Sequence, residues 1–322
     1  MRIFKATSAP KSLRWDGDEL VDAVGGFRRW TADGTARPGT WNPPHPFDRA
    51  AHSPSGRWTV VYEQRGGEAL LLDGQDVVRQ VPRAADRSSI DRAMAVAELP
   101  DGREVLVYAP GSVLEIEELV SGMSLASYYK RILGNHGSRI SIAPDGRRLA
   151  AAGFGWIEDG IAPVYDVAAA LANSCTLDYE GILPLAAVYG EVGSVCWLDG
   201  DRFAVATTAA RRSPPGPDAL GPRALGVWSF AEERWLHRGP AESPWGTLVA
   251  CGGDRVLALY GHPRLVDATT GAVLAAWRDV AAPRDESPYG RGPEPVAALH
   301  PDGTRLALAI EDGIAVLDLP RP

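Results

Sequence analysis

Short apolar segments that end in tight polar turns recur along the whole chain. An apolar segment runs into a turn that contains glycine, usually after aspartate, and a second apolar segment follows at once. The pattern is clear at 142–151, IAPDGRRLAA, and at 300–308, HPDGTRLAL. A tight hairpin needs a residue with positive φ, which glycine adopts without a steric clash. These segments therefore predict β-hairpins.

The turn glycines recur at a regular period. They are Gly17, Gly56, Gly102, Gly146, Gly200, Gly253 and Gly303. Subtraction of successive positions gives spacings of 39, 46, 44, 54, 53 and 50 residues. A period of about 40 to 55 residues is typical of the blades of a β-propeller.

A third apolar segment follows each hairpin, and several of these segments end in an acidic residue. They lie at 27–31, 69–73, 113–119, 163–167, 225–230, 264–271 and 314–319. Continuous apolar runs suit strands that are buried on both faces between neighbouring blades. The sequence predicts an all-β fold, a single β-propeller domain over residues 1–322 with seven four-stranded blades. A long insertion in the fifth unit leaves six or eight blades as alternative counts.

The two ends of the chain predict how the ring closes. Only one strand follows the last turn, and residues 2–8 precede the first turn with alternating character. We expect this N-terminal strand to complete the last blade and so remove an open edge. The one predicted helix is the Ala-rich segment 167–174, in the outer part of blade four. The segment 127–133, SYYKRIL, is predicted to form an outer strand.

Within residues 134–153, GNHGSRISIAPDGRRLAAAG, His136 precedes an apolar strand and a Pro-Asp-Gly turn. The strands in three of the third apolar segments end in VYD, LVD and VLD. In this arrangement the chain resembles the WD-repeat family of β-propellers. The resemblance covers nearly the whole chain. It departs from the family pattern because Asn-His replaces Gly-His and no third segment ends in Trp-Asp. The resemblance implies a scaffold that binds another protein.

Composition narrows the class of partner. Asp and Glu number 41 against 33 Lys and Arg, a net charge of -8, which disfavours binding to nucleic acid. No stretch of about 18 apolar residues occurs and the N-terminus lacks a signal-peptide core. The sequence thus predicts no membrane partner and a cytoplasmic location. Cys175, Cys196 and Cys251 are predicted to be free thiols, with Cys196 and Cys251 buried.

The sequence favours a protein that is not an enzyme. Its six histidines lack metal-ligand spacing, and it contains no HExxH, no GxSxG and no GxGxxG before a helix. His52 and His300 occupy the same place in two repeats and are predicted to be structural. We therefore expect no cofactor and no metal. An enzyme active site or small-ligand site built from several blades in the central channel would escape motif searches, and it stays open as the alternative.

Four long segments are predicted to lie on one face of the ring, at 39–50, 153–162, 209–225 and 279–295. Loops of this length are either functional or disordered, and both interpretations stay open. Aromatic and Arg residues are typical of binding hot spots, although the aromatic residues could instead cap the blades. The candidate partner-binding residues are Trp41, His45, Trp156, Arg211, Arg212, Trp245, His262 and Tyr289. The predicted function is a non-catalytic scaffold, alone or within a larger assembly, that binds another protein through this face and the channel mouth.

Overall fold

Seven antiparallel sheets form the ring in the computed structural model of this chain. The structure describes residues 1–82, 93–109, 113–129, 139–154, 160–177, 181–210, 216, 218–240, 244–284 and 294–321. The predicted all-β, seven-bladed propeller is confirmed. Within these ranges, no helix is both long enough and apolar enough to cross a membrane.

The first three blades have four strands each, in the order of the chain. The chain begins with β1 (Arg2–Lys5), which belongs to the last blade. Blade one contains β2 (Arg14–Asp16), β3 (Glu19–Asp22), β4 (Arg28–Trp30) and β5 (Ala36–Arg37). Blade two contains β6 (Arg49–His52), β7 (Trp58–Tyr62), β8 (Ala69–Asp73) and β9 (Asp76–Gln80). Blade three contains β10 (Met94–Glu98), β11 (Glu104–Tyr108), β12 (Val113–Glu118) and β13 (Ser124–Tyr129). The outer strand predicted at 127–133 is present as far as residue 129, and the rest lies outside the described residues.

Blade four carries the helix that the sequence predicts. Its strands are β14 (Arg139–Ile142), β15 (Arg148–Phe154), β16 (Gly160–Ile161) and β17 (Val164–Asp166), and both short strands pair with β15. Helix α1 (Val167–Ala172) follows at once, and the Asp166 side chain accepts a hydrogen bond of 2.8 Å from the Ala169 N–H at the helix start. Two 3-10 turns, Ser174–Leu177 and Leu185–Ala187, then connect to blade five.

The remaining blades return to the four-stranded order. Blade five contains β18 (Gly190–Trp197), β19 (Arg202–Ala210), β20 (Ala224–Ser229) and β21 (Arg234–Pro240). Blade six contains β22 (Thr247–Ala250), β23 (Arg255–Tyr260), β24 (His262–Asp267) and β25 (Val273–Ala276). Blade seven contains β26 (Ala297–Leu299), β27 (Arg305–Ile310) and β28 (Gly313–Asp318), and β1 adds its fourth strand.

The N-terminal strand closes the ring as predicted. Phe4 of β1 lies opposite Ile314 of β28 in the antiparallel register. The Phe4 ring is buried in a cluster that joins blade seven to Trp15 and Trp30 of blade one. Gly313, with φ +150°, lets the two strands meet, since a Cβ there would lie 2.1 Å from the Phe4 carbonyl oxygen. Strand β1 therefore links the last blade to the first, by pairing with β28 and by packing against blade one.

The two ends of the ring differ in their connections. The first strands of neighbouring blades contact one another, for example β18 with β22 and β10 with β14, so they surround the central channel. We call the end that carries the glycine turns between first and second strands the turn face; Gly102 and Gly303 lie there. We call the opposite end the loop face; it carries the connections between blades, such as 38–48, and those between second and third strands, such as Gly261.

The turn glycines follow the expected backbone geometry at six of the seven positions. Gly17, Gly56, Gly102, Gly146, Gly253 and Gly303 all have positive φ. Gly200 is the exception, so the expected positive φ is wrong there. A Cβ at this position would lie 2.4 Å from Asp145 Oδ2 in the preceding blade. The Asp145 side chain of the preceding blade therefore lies against the glycine at 200.

Four arginines form hydrogen bonds between neighbouring blades on the turn face. Each lies two residues after its turn glycine: Arg148, Arg202, Arg255 and Arg305. Arg255 donates to the Pro320 carbonyl at 2.6 Å, and Arg305 donates to Asp18 Oδ1 at 2.5 Å. The other two donate to the Gly200 carbonyl and to Asp254, in each case in the next blade. Each of these side chains therefore makes the same kind of contact, a hydrogen bond to the next blade, from blade four round to blade one.

His52, at the turn-face end of β6, is held in the neutral form. Its Nδ1 lies 3.1 Å from Thr59 Oγ1. Its Nε2 is buried and has no hydrogen-bond partner within the described part of the chain. Burial, with a smaller contribution from the Arg14 charge, lowers the pKa of His52 to about 3. The imidazole is therefore a structural group, as the sequence predicts.

We expect acid to destabilise the protein through His52. The unfolded side chain titrates near pH 6.5, so this group's contribution is complete above that pH and falls below it. The loss should reach up to about 2 kcal/mol in the free energy of unfolding at pH 5. His52→Asn keeps a polar group for Thr59 and cannot titrate. Urea unfolding at pH 7 and pH 5 should show a smaller acid loss in the variant, whereas equal losses in both proteins would contradict the assignment.

Candidate functional site

Four of the predicted partner-binding residues lie within the described part of the chain. Trp41 and His45 lie in the connection from blade one to blade two, Trp245 precedes blade six, and His262 begins β24. All four are on the loop face. The other four, Trp156, Arg211, Arg212 and Tyr289, lie outside the described residues, as does His136.

Trp41 and His45 belong to an aromatic ledge on the loop face of blades one and two. The Trp41 ring packs edge-on against Phe27 at 5.7 Å and stacks on Phe47 at 6.4 Å between ring centres. The His45 ring contacts Phe47 at 5.6 Å, and its Nε2 lies 3.8 Å from Glu68 Oε2. Trp41 and His45 remain partly exposed. The ledge thus presents aromatic surface that is already fixed in position.

Trp245 is buried, unlike Trp41 and His45. Its side chain is only 6% exposed and packs in the core between blades five and six. The Arg264 guanidinium lies 5.6 Å from the centre of the Trp245 ring and donates a hydrogen bond to the Pro244 carbonyl. This tryptophan therefore caps the blade, which is the alternative that the sequence left open for the loop aromatic residues. Its part in partner binding stays untested.

A basic surface surrounds the loop-face end of blade six. Gly261, in the turn between β23 and β24, donates to the Pro283 carbonyl at 3.2 Å and accepts from the Ala282 N–H at 3.1 Å. These bonds bring Arg284 over the turn, so that its Nε would lie 3.3 Å from a Cβ on Gly261. The sequence places His262 directly after this glycine.

A second backbone contact adds two more cations. The Trp277 N–H donates to the Pro263 carbonyl at 3.0 Å, which brings Arg278 beside the start of β24 and Arg264. Arg278 and Arg284 are exposed, His262 is partly exposed and Arg264 is buried beneath them. We call His262, Arg264, Arg278 and Arg284 the basic surface.

The electrostatics of the basic surface favour an anionic partner. Desolvation lowers the pKa of His262, and the charges of Arg264, Arg278 and Arg284 lower it further. His262 is therefore neutral at neutral pH. Arg278 and Arg284 form no ion pair with any residue that the structure describes, in a chain whose net charge is -8. The arginines thus leave positive charge available to a partner.

The central channel offers a contrasting environment. Partly exposed positions on the first strands are mixed, with alanine and aliphatic residues such as Ala51, Ile140 and Val249 beside charged residues such as Arg49 and Glu191. At the loop-face mouth, Arg139 Nε of blade four lies 3.1 Å from Glu294 Oε1, just before blade seven. These blades are on opposite sides of the ring, so the ion pair crosses the mouth. The two charges satisfy each other there.

The remaining candidates for chemistry have structural surroundings. His300 Nε2 lies 3.1 Å from the Gly17 carbonyl oxygen, and its Nδ1 lies 2.6 Å from Asp302 Oδ1, at the junction of blades seven and one. Cys196 and Cys251 are buried as predicted. Burial raises the pKa of both thiols, that of Cys251 to about 12. Among the described residues, no group of three or more His, Cys, Asp or Glu is arranged to hold a metal ion.

Comparison with known proteins identifies the fold and leaves the family open. No protein family and no curated protein sequence matches the chain. One chain in the crystal structure of a mitotic checkpoint complex superposes with a TM-score of 0.64 at 13% sequence identity, over 99% of this chain and 95% of that chain. In all, 1216 chains of solved structures match. A fold shared this widely hosts many functions, so the function must be argued from the surface.

Proposed function

We propose that this chain is a cytoplasmic protein-interaction module, a degenerate relative of the WD-repeat propellers, that binds a partner protein through its loop face. The observation that carries the proposal is the basic surface on blade six. Arg278 and Arg284 are exposed there and form no ion pair with a described residue. The partner segment that fits this surface is acidic.

Two further features support binding on this face. Arg and aromatic side chains are enriched in interface hot spots, because they bury large area and form directional polar contacts. The ledge formed by Trp41 and His45 adds fixed aromatic surface. Fixed side chains lose less conformational entropy on binding. The matched solved chain also comes from a protein complex, which agrees with a role in assembly.

The Arg139–Glu294 ion pair favours the loop face over the channel as the binding region. A ligand entering from this end would have to separate the two charges. Breaking a partly buried ion pair carries a desolvation cost that binding must offset. An approach across the outer part of the loop face leaves the pair intact.

We expect charge reversal in the basic surface to weaken partner capture. The tagged wild-type protein, Arg278→Glu and Arg284→Glu would be used to recover proteins from nuclease-treated native lysate, with mass spectrometry as the readout. Each reversal replaces attraction to an acidic segment by repulsion, so recovery of the partner should fall about tenfold. Raising the salt concentration should reduce capture by the wild type as well.

Arg321→Glu is the matched control. Arg321 is exposed on the turn face, and its reversal changes the net charge by the same amount. Capture should be unaffected by this variant. Equal loss with Arg321→Glu, or full capture by Arg284→Glu, would contradict the assignment of the loop face. A partner recovered from untreated lysate but not from nuclease-treated lysate would instead indicate that nucleic acid mediates the binding.

A further inference from the structure

The exposed arginines of the basic surface converge on one short turn of blade six. The Nε of Arg284 would lie 3.3 Å from a Cβ on Gly261, so this side chain crosses the turn. Arg278 comes directly after the residue whose N–H donates to the Pro263 carbonyl. Desolvation and the charges of both arginines lower the pKa of His262, which lies between these two contact points in the chain. Both guanidinium groups can therefore reach one ligand above this turn.

Arg264 supplies a fixed positive charge beneath the two exposed arginines. It is only 7% exposed. Its guanidinium lies over the Trp245 ring and donates a hydrogen bond to the Pro244 carbonyl, and neither of these groups carries a formal charge. Desolvation lowers the pKa of Arg264. Because packing holds the side chain, its charge adds to the electrostatic field above it at a fixed position.

The basic surface carries a net positive charge. Asp279, which follows Arg278, is exposed and is the one carboxylate of the segment 277–284. The three arginines at 264, 278 and 284 less this carboxylate leave a sum of +2. The exposed acidic residues of the loop-face turn 311–312 in blade seven form no ion pair with these arginines. A compact group with two negative charges therefore matches the surface.

A phosphoryl group fits this description better than a row of carboxylates does. It carries a charge of about −1.5 to −2 at pH 7 and three acceptor oxygens at one point. A guanidinium presents its N–H donors as a planar fork that binds phosphate through two parallel hydrogen bonds. Carboxylates on one side of an extended peptide stand about 7 Å apart. A segment of Asp and Glu would therefore bring only a single charge to this turn.

We infer that the basic surface binds a phosphorylated serine or threonine of the partner protein, so that phosphorylation of the partner controls binding. The inference rests on the function proposed above and names the acidic group of the partner. Arg278 and Arg284 donate hydrogen bonds to the phosphate oxygens, and the charge of Arg264 lies beneath them. A phosphorylated lipid headgroup offers the same chemistry, but an anionic membrane surface repels a chain whose net charge is -8.

An array of random peptides probed with the intact, labelled protein tests the inference. Each peptide is made with a central phosphoserine or phosphothreonine, with the unphosphorylated residue, and with glutamate. The best phosphopeptide, synthesised with a fluorescent label, should bind about tenfold more tightly than its glutamate form in anisotropy titrations. Arg278→Glu and Arg284→Glu should each weaken its binding about tenfold. Arg321→Glu, on the turn face, should bind it as the wild type does.

The outcomes separate this inference from the loop-face proposal. Equal affinity for the phosphorylated and glutamate forms, with loss of both in Arg284→Glu, would overturn the phosphate assignment and leave the loop-face proposal standing. An array without any phosphate-dependent signal would overturn the assignment too, and capture by Arg284→Glu would still test the loop face separately. Phosphopeptide binding that survives both charge reversals would place the site elsewhere. Binding to phosphoinositide-containing vesicles, but to no peptide, would indicate a membrane ligand instead.

Discussion

Arg79→Ala is expected to lower the free energy of unfolding by about 3–5 kcal/mol. Arg79 lies on β9, the outer strand of blade two, and it forms an ion pair with Glu117 of blade three. The side chains are only 15% and 5% exposed. Arg79 also donates to the Leu119 carbonyl at 3.0 Å, and Tyr108 donates to Glu117 Oε2 at 3.2 Å.

The size of the effect follows from what remains after the substitution. Burial raises the pKa of Glu117, while the Arg79 bond opposes that rise. Without Arg79 the carboxylate has no cation, and it must become neutral or remain buried with an uncompensated charge. We therefore expect the contact between blades two and three to be lost before the other blade contacts when this variant unfolds.

Two comparisons isolate the ion pair in urea unfolding experiments. Replacing the whole network by apolar groups, as in Arg79→Met with Glu117→Leu and Tyr108→Phe, should restore most of the stability, because no buried charge is left. Arg234→Ala removes an exposed pair with Glu232 and should cost less than about 1 kcal/mol. Equal losses in Arg79→Ala and Arg234→Ala would contradict this account of the junction.

Phe4→Ala is the second substitution with a large expected effect. Phe4 is 3% exposed, and it is the buried side chain of the strand that closes the ring. Its ring packs against Trp30 of blade one and Ile314 of blade seven. Removal of a buried phenylalanine side chain costs about 3–5 kcal/mol, through lost burial and the cavity left behind.

Ile3→Ala on the same strand is the control for Phe4→Ala. Ile3 is 48% exposed, so its truncation should change the free energy of unfolding by less than about 1 kcal/mol. Both variants keep the backbone pairing of β1 with β28. A loss in Phe4→Ala no greater than that in Ile3→Ala would show that β1 contributes little to ring closure.

The sequence predicts most of the fold because local rules repeat. The glycine turns, the apolar third strands and the partnerless last strand each carry a short-range signal, and together they predict seven blades and closure by β1. The helix at 167–172 is likewise visible as an Ala-rich segment. The geometry at Gly200 was not predictable in this way, because its φ is not positive and its nearest neighbour is the Asp145 side chain of the preceding blade.

One series of contacts had a sequence signal that was missed. Arginine stands two residues after the turn glycine in blades four to seven, at 148, 202, 255 and 305. Recurrence at a fixed offset indicates a repeated structural role. The structure shows that role as hydrogen bonds to the next blade.

The basic surface was only partly predictable, because it depends on tertiary contacts. His262 was a candidate from the sequence. Arg278 and Arg284 lie near it because backbone hydrogen bonds join residues 277–283 to the turn of blade six. The Arg139–Glu294 pair joins residues 155 positions apart, beyond any local pattern. Trp245 shows another limit of prediction from sequence. An aromatic residue in a loop can be exposed or can cap a core, and the residues that pack around it determine which of the two occurs.

Hydrogen–deuterium exchange on the protein with and without its captured partner tests the loop-face proposal most directly. The account predicts slower exchange on binding in the turn around Gly261 and in residues 277–284, with the ledge at 38–48 as a second protected region. The turns at 251–254 and 300–304 on the turn face should exchange at unchanged rates. Protection confined to the turn face, with 277–284 unchanged, would contradict the proposal.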